Sequence, residues 1–204
     1  MFLVTDKNNK TFGGFSWTEG SENETDNPNY YFRLYENLEA ALYLSPFFGH
    51  EEFNIWVAEG YGDCLEERTC KKFSKVKSIS LKEVPHVPDE KRIITAILCS
   101  MSLVKNDDFL KWCSLYLKEE DRSKESAFVI RESVSETDEE SEYFSCALPL
   151  LSCVSNKEKV ASLSAASIFR AVSDSIDVGD PIDLNKITKI VSFIPSKDIA
   201  SMFS

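Results

Sequence analysis

The sequence predicts an α+β fold: a small antiparallel sheet with one short helix in residues 1–85, then a mostly helical half in residues 89–204. Three observations predict it. Short apolar and aromatic runs separated by segments rich in Asn, Asp, Gly and Pro fill the first 85 residues, the pattern of strands and turns. Pro85 and Pro88 then mark a boundary, because two close prolines end a strand ladder and set φ for a new start. Beyond Pro88, apolar residues recur at helical spacing.

Met1–Thr5 and Thr11–Trp17 read as two strands joined across Asp6-Lys7-Asn8-Asn9-Lys10, with Gly13-Gly14 suggesting a bulge or a close backbone approach. Glu19–Asn29 is polar, contains Gly20 and Pro28, and reads as a loop. Tyr30–Tyr35 is a third strand. Asn37 can cap a short helix, Leu38–Leu44, that ends near Ser45-Pro46. Phe53–Tyr61 carries apolar residues on both faces, Phe53, Ile55 and Val57 against Trp56 and Ala58, so it reads as an inner strand ended by Gly60 and Gly62. Lys72–Val84 is another strand; its apolar parity shifts between Val76 and Ile79, which predicts a bulge or break.

In the second half, Ile93, Ile94, Ile97, Leu98, Met101 and Val104 share one helical stripe, opened by Asp89 and Glu90. A second helix opens near Asn106-Asp107-Asp108 and carries Phe109, Trp112, Cys113, Tyr116 and Leu117. The short turn between them predicts an antiparallel pair. Ser123–Val134 reads as a third helix. Ser135–Glu142 is too acidic to pack and can divide this half into 89–134 and 143–204. Tyr143–Val154 is apolar, with a kink or break expected at Pro149. In Glu158–Ile176 the residues Ala161, Ala165, Ile168, Phe169, Val172 and Ile176 share a face, the other face is rich in serine, and Gly179-Asp180-Pro181 stops the helix. Ile187, Ile190, Val191 and Ile194 form one more stripe, and Ser196 can cap a last turn.

Composition narrows the function classes. Hydrophobic content of 43 %, with 14 Phe and 3 Trp, suffices for a core, and 28 % charged residues fit a soluble protein. No run of 18 apolar residues occurs, so no membrane span is expected. MFLVTDKNNK lacks the basic and apolar regions of a signal peptide, which points to a cytoplasmic protein with reduced thiols. Of the six cysteines, Cys99, Cys113, Cys146 and Cys153 sit among apolar residues and are expected to be buried and free. The net charge is −11, and residues 119–142 alone hold ten acids against Arg122, Lys124 and Arg131. Direct nucleic-acid binding is therefore disfavoured, since phosphate contacts need a basic face. The confinement of the acids to one segment also argues against extended DNA mimicry.

The stretch RIITAILCSMSLVKNDDFLKWCSLYLKEEDRS carries a resemblance through Arg92, Ile93, Ala96, Ile97, Leu98, Cys99, Met101, Phe109, Trp112, Leu117, Asp121, Arg122 and Ser123. It resembles a segment of small phage accessory proteins of unassigned function, which begin with a β-rich module and often end in alanine-rich helices. The strings ENLEAALYL and FNIWVAEGYGD look similar to their front module. Relatives tend to carry a Gly-Phe-His-like sequence where this chain has Tyr30-Tyr31-Phe32-Arg33-Leu34, and the alanine-rich tail is replaced by a mixed, serine-containing region.

The resemblance implies a phage-encoded protein, working in the host cytoplasm, that binds a host protein stoichiometrically, a defence component among the candidates. Its partner-binding residues would be aromatic anchors and a charged rim. Candidates are Phe47 and Phe48 in the Phe47-Phe48-Gly49-His50 stretch, the Trp17 region, and Glu136, Asp138, Glu139 and Glu140 in the acidic segment. The alternative is enzymatic. The strand–helix–strand arrangement of residues 30–61 looks like part of an ADP-ribosyltransferase fold, whose only mapping here is Arg33, Tyr43 and Glu59. Each has a plainer role: Arg33 and Glu59 can pair across strands, and Tyr43 can pack on the sheet.

No metal site and no cofactor are expected. His50 and His86 are far apart, and neither Cys64/Cys70 nor Cys146/Cys153 has CxxC spacing. A Cys–His nucleophile would have to pair Cys64 or Cys70 with one of those histidines. No P-loop, GxGxxG or GxSxG string occurs. The sequence sets no oligomeric state.

Overall fold

Leu3, Val4 and Thr5 are successive and all buried, so their strand, Phe2–Asp6 (β1), is covered on both faces as well as paired with an antiparallel neighbour on each edge. The computed structural model describes residues 1–11, 13–48, 52–135 and 145–202. The chain divides into two units, Met1–His86 and Val87–Ser204, with the division inside the Pro85–Pro88 segment.

The first unit adds strands Glu22–Glu24 (β2), Phe32–Tyr35 (β3), Phe53–Glu66 (β4) and Lys71–Lys82 (β5), and one helix, Leu38–Leu44 (α1). All pairings are antiparallel. β1 pairs with β3 (Leu3 opposite Leu34) and with β4 (Val4 opposite Ile55); β3 and β4 both pair with β5, so these four strands close a ring. β2 adds to β5 with Asn23 opposite Val76. One side of the sheet buries Leu3, Trp17, Phe32, Leu34, Trp56, Ala58, Phe73 and Val76 in a single cluster. α1 packs against β1 and β3, and is capped as expected: the Asn37 side chain accepts from the Ala40 amide at 2.7 Å.

Several local expectations are corrected. Thr11–Trp17 is not a strand: only an isolated bridge, Lys10 opposite Ser16, joins it to the preceding residues. The second strand lies in the polar stretch read as a loop, at Glu22–Glu24, because its carboxylates meet Lys75 of β5 at 2.7 and 3.5 Å. β4 runs through both glycines to Glu66. Gly60 leaves room for the Phe73 ring, which a Cβ would meet at 2.4 Å, and Gly62 takes φ +73° beside a register shift. The shift expected near Ile79 is present: Val57 faces Ser80 and Ala58 faces Ser78, leaving Ile79 unpaired between them.

The second unit contains Asp89–Met101 (α2), Asp107–Leu117 (α3), Lys124–Ser135 (α4), Ala147–Ser155 (α5), Val160–Asp177 (α6), Leu184–Phe193 (α7) and Ser196–Ser201 (α8). α2 is its central helix. Every residue from Arg92 to Ser100 is buried, and α3, α5, α6 and α7 pack around it. The Asn106 side chain caps α3, accepting from the Phe109 amide at 2.9 Å. α6 ends in a Schellman motif on Gly179 at φ +78°, with the Asp180 amide on the Ser175 carbonyl and the Gly179 amide on Ile176. No helix among the described residues is long and apolar enough to cross a membrane.

Three points in this half are decided by packing. Pro149 neither breaks nor kinks a helix; α5 begins at Ala147, so the proline falls in the first turn, where an amide has no intrahelical acceptor to lose. The serine-rich face of α6 is largely buried. Ser164, Ser167, Ser173 and Ser175 are buried, and Ser167 meets Ser100 of α2 with 3.2 Å between hydroxyl oxygens. Ser164 and Ser175 donate to the carbonyls of Val160 and Val172, which satisfies their hydroxyls inside the core. Finally, Ser196 does not cap α8. It is the first helical residue, and its hydroxyl goes to Glu119 instead.

Candidate functional site

The residues that carried the resemblance are scaffold. Phe109, Trp112 and Leu117 are buried on the inner face of α3, and Ile97, Leu98 and Cys99 on α2. Asp121 and Ser123 build the start of α4: the Asp121 carboxylate accepts from the Ser123 amide and hydroxyl at 2.9 and 2.6 Å, and Ser123 Oγ accepts from the Ser126 amide. Arg122 ties three helices. It donates to the Tyr116 carbonyl at the end of α3 (3.0 Å), to Glu90 in the first turn of α2 (2.9 Å) and to Ser196 of α8 (3.2 Å), and its guanidinium lies 5.0 Å over the Tyr116 ring. Glu119, at φ +61°, occupies the position that usually takes glycine after a helix, at a cost of about 1 kcal/mol. The Ser196 hydroxyl, with Lys197 and Arg122, holds its carboxyl below the ordinary range. The front of the acidic segment is therefore structural.

The sequence-derived candidates are scattered. Phe47 and Phe48 end the 3-10 turn Ser45–Phe48 after α1. Glu136, Asp138, Glu139 and Glu140 lie outside the described residues, as do Gly49 and His50. Trp17 is not a surface anchor. It is 1 % exposed, packed edge-on to Phe32, with its indole N–H on Thr11 Oγ1 at 3.1 Å. Arg33 and Glu59 do not pair, since β3 and β4 are not neighbours in the ring. Arg33 lies 3.6 Å from Glu67, Glu59 accepts from the Tyr61 hydroxyl, and Tyr43 is buried in α1. Among the described residues, no three His, Cys, Asp or Glu side chains are placed to hold a metal ion.

The cysteines are free; all but Cys64 are buried. Burial pushes the Cys146 thiol up to about 11 and those of Cys70 and Cys153 up to about 12, opposite to the shift a nucleophile needs. A thiol-reactive probe is therefore expected to label Cys64 alone in the folded chain and all six thiols after unfolding. Rapid labelling of a second thiol under native conditions would contradict this burial pattern. The same shifts set a pH dependence. The unfolded thiols ionise from about pH 9 while the folded ones keep their protons, so stability is full below that and falls as pH rises through 11–12.

The feature that stands out is on α4. Ala127 faces inward, but its neighbours Phe128 and Val129 are 56 % and 64 % exposed. Beside α4, Arg131, Leu148, Pro149, Ser152, Leu163, Ala166 and Arg170 line a cleft of about 320 Å³ between α4, α5 and α6. Arg170 donates to the Ser145 carbonyl at 2.7 Å, and Ser145 in turn donates to Asp174 at 2.7 Å, which anchors the start of α5 to α6. The acidic run follows α4 directly in sequence. Sequence reading missed this site, yet a signal was present. Phe128, Val129 and Ile130 are consecutive, and three consecutive positions on a helix span too wide an arc to share one buried stripe.

No protein-family model, curated protein or solved structure matches this chain.

Proposed function

We propose that this chain is a phage-encoded accessory protein that binds a host protein stoichiometrically and acts by occlusion, with defence components as the first target class to test. The exposure of Phe128 and Val129 on a helix bordered by a cleft carries the reading. Two adjacent large apolar side chains in water supply the anchor that a binding face needs. The acidic run that follows α4, with Glu136, Asp138, Glu139 and Glu140, supplies the charged rim, and a basic patch on the partner would meet it. The phage origin rests on the resemblance of residues 93–123.

The test is affinity capture from host cells with mass spectrometry, followed by stoichiometry of the purified pair. One-to-one capture is expected, weakening as ionic strength rises through the screening of the acidic run. Phe128→Ser with Val129→Ser should reduce capture at least tenfold. Because both positions are exposed, each change should alter stability by no more than about 0.5 kcal/mol. Undiminished capture by that double variant would remove α4 from the interface. Transfer of label from NAD to host proteins, at substoichiometric amounts of this chain, would replace binding by an enzymatic role.

A further inference from the structure

We propose that the open edge of β4, residues 60–66, takes a short extended segment rich in Lys or Arg from a partner protein as an added strand. This surface is separate from the binding face on α4 and does not depend on it. β1 covers β4 only as far as Ala58, whose amide donates to the Met1 carbonyl at 2.9 Å and whose carbonyl accepts from the Met1 amino group at 3.0 Å. β4 continues to Glu66, and β5 pairs with its other edge to the end, with Glu66 opposite Lys71. Among the described residues, no strand pairs with β4 past Ala58 on the β1 side, which leaves about 20 Å of edge. Ladder groups alternate in direction, so the amide and carbonyl of Gly60 point to the same side as those of Ala58. β5 has no comparable edge, since β3 and β2 cover its far side at residues 71–73 and 75–77.

Charge and side chains select the occupant. Glu59 and residues 61–66 are exposed, with Tyr61 and Leu65 as apolar surface beside Glu59, Asp63 and Glu66. Glu66 is paired with Lys71. Among the described residues, Glu59 and Asp63 meet no cation; they accept from the Tyr61 and Tyr31 hydroxyls. Lys77 faces Glu59 in the ladder without pairing with it, and Lys75 is held by Glu22 and Glu24. Lys or Arg side chains of an added strand would pair with Glu59 and Asp63 and lie on the Tyr61 ring. Backbone bonds along the edge would supply affinity, and these pairs the selectivity. A second copy is disfavoured as the occupant, because pairing β4 with itself sets acid against acid. The bulge between Tyr61 and Cys64, where Gly62 takes φ +73°, bends the edge and suits it to a short segment rather than a long stacked sheet.

The experiment is a backbone-amide NMR titration of the full chain with capped eight-residue peptides: alternating Lys/Val, alternating Glu/Val, and the Lys/Val peptide N-methylated either at every Lys or at every Val. The Lys/Val peptide should shift the amides of Glu59, Gly60, Tyr61 and Leu65 and slow hydrogen exchange at Gly60. N-methylation removes the donors of one edge of the peptide, so one methylated form should lose binding and the other keep it, a comparison made on the unaltered chain. Affinity for the Lys/Val peptide should fall about fivefold in the Glu59→Gln/Asp63→Asn double variant, whose two positions are exposed. No binding of the Lys/Val peptide, equal binding of the Glu/Val peptide or equal binding of the two methylated forms would overturn the inference. So would undiminished affinity in the double variant with a native amide spectrum. Shifts at Gly60 that grow with protein concentration alone would give the edge to a second copy and overturn it as well. The Phe128/Val129 double variant should bind the Lys/Val peptide as the parent chain does. Host-partner capture lost in that variant, with no peptide binding at β4 in either chain, would overturn this inference and leave the role of α4 standing.

Discussion

Trp17→Ala should destabilise residues 1–86 by roughly 3–5 kcal/mol, the range for removing a large buried aromatic. Trp17 fills the centre of the first unit's core, against Phe32 at 5.3 Å between ring centroids and within the cluster of Leu3, Leu34, Trp56, Phe73 and Val76. It also joins an irregular segment to the strand region: its amide donates to the Asn9 carbonyl at 2.9 Å and its indole to Thr11. No regular strand carries it, so the surrounding backbone has little ladder to hold it in place once the ring is gone. A domain of this size has a total stability of about 5–15 kcal/mol, so such a loss is a large share of it. Amide hydrogen exchange in β1, β3 and β5 reads the effect directly. A change below about 1 kcal/mol would mean that the site collapses around the missing ring, and that Trp17 is not the keystone its burial implies.

Ser167→Leu is expected to cost about 3 kcal/mol. The Ser167 and Ser100 side chains are fully buried and meet at 3.2 Å, so α2 and α6 approach closely there. A branched four-carbon group has no space at such a contact, and overpacking costs about 1–3 kcal/mol. The Ser100 hydroxyl also loses a partner inside the core, which adds a desolvation cost of about 1 kcal/mol or more. Ser167→Ala keeps the volume and should cost only about 1 kcal/mol. Urea unfolding of the two variants separates the steric part from the hydrogen bond. A Leu variant as stable as the Ala variant would show that the helices can move apart freely.

These two residues also mark where the amino-acid sequence could and could not be read. Helix spans, their Asn caps, the stop at Gly179 and the bulge at Ile79 were all visible, because each depends on residues within a few positions of one another. The serine-rich face of α6 gives no sign in the sequence of whether it packs or meets water. Inside a helix, however, a serine hydroxyl can use the carbonyl one turn back, as Ser164 does with Val160, and then its small size suits a tight helix contact. The Trp17 region is a candidate anchor in the sequence, but the aromatic cluster that buries it comes from β3, β4 and β5, far along the chain.

Local order in this chain follows from spacing and turn chemistry: an α+β division near Pro85–Pro88, an inner β4 with apolar groups on both faces, and amphipathic helices beyond Asp89. Those forces act through the backbone over one or two turns, so a linear pattern contains them. The choice of what stays exposed lies elsewhere. Leucine, phenylalanine and arginine side chains are sorted inward or outward by partners far away in the chain, such as Glu90 and Ser196 for Arg122, or α5 and α6 for the cleft beside Arg131. Phe128 and Val129 are more than half exposed while Ala127 beside them is buried, a fact about packing that no spacing rule contains.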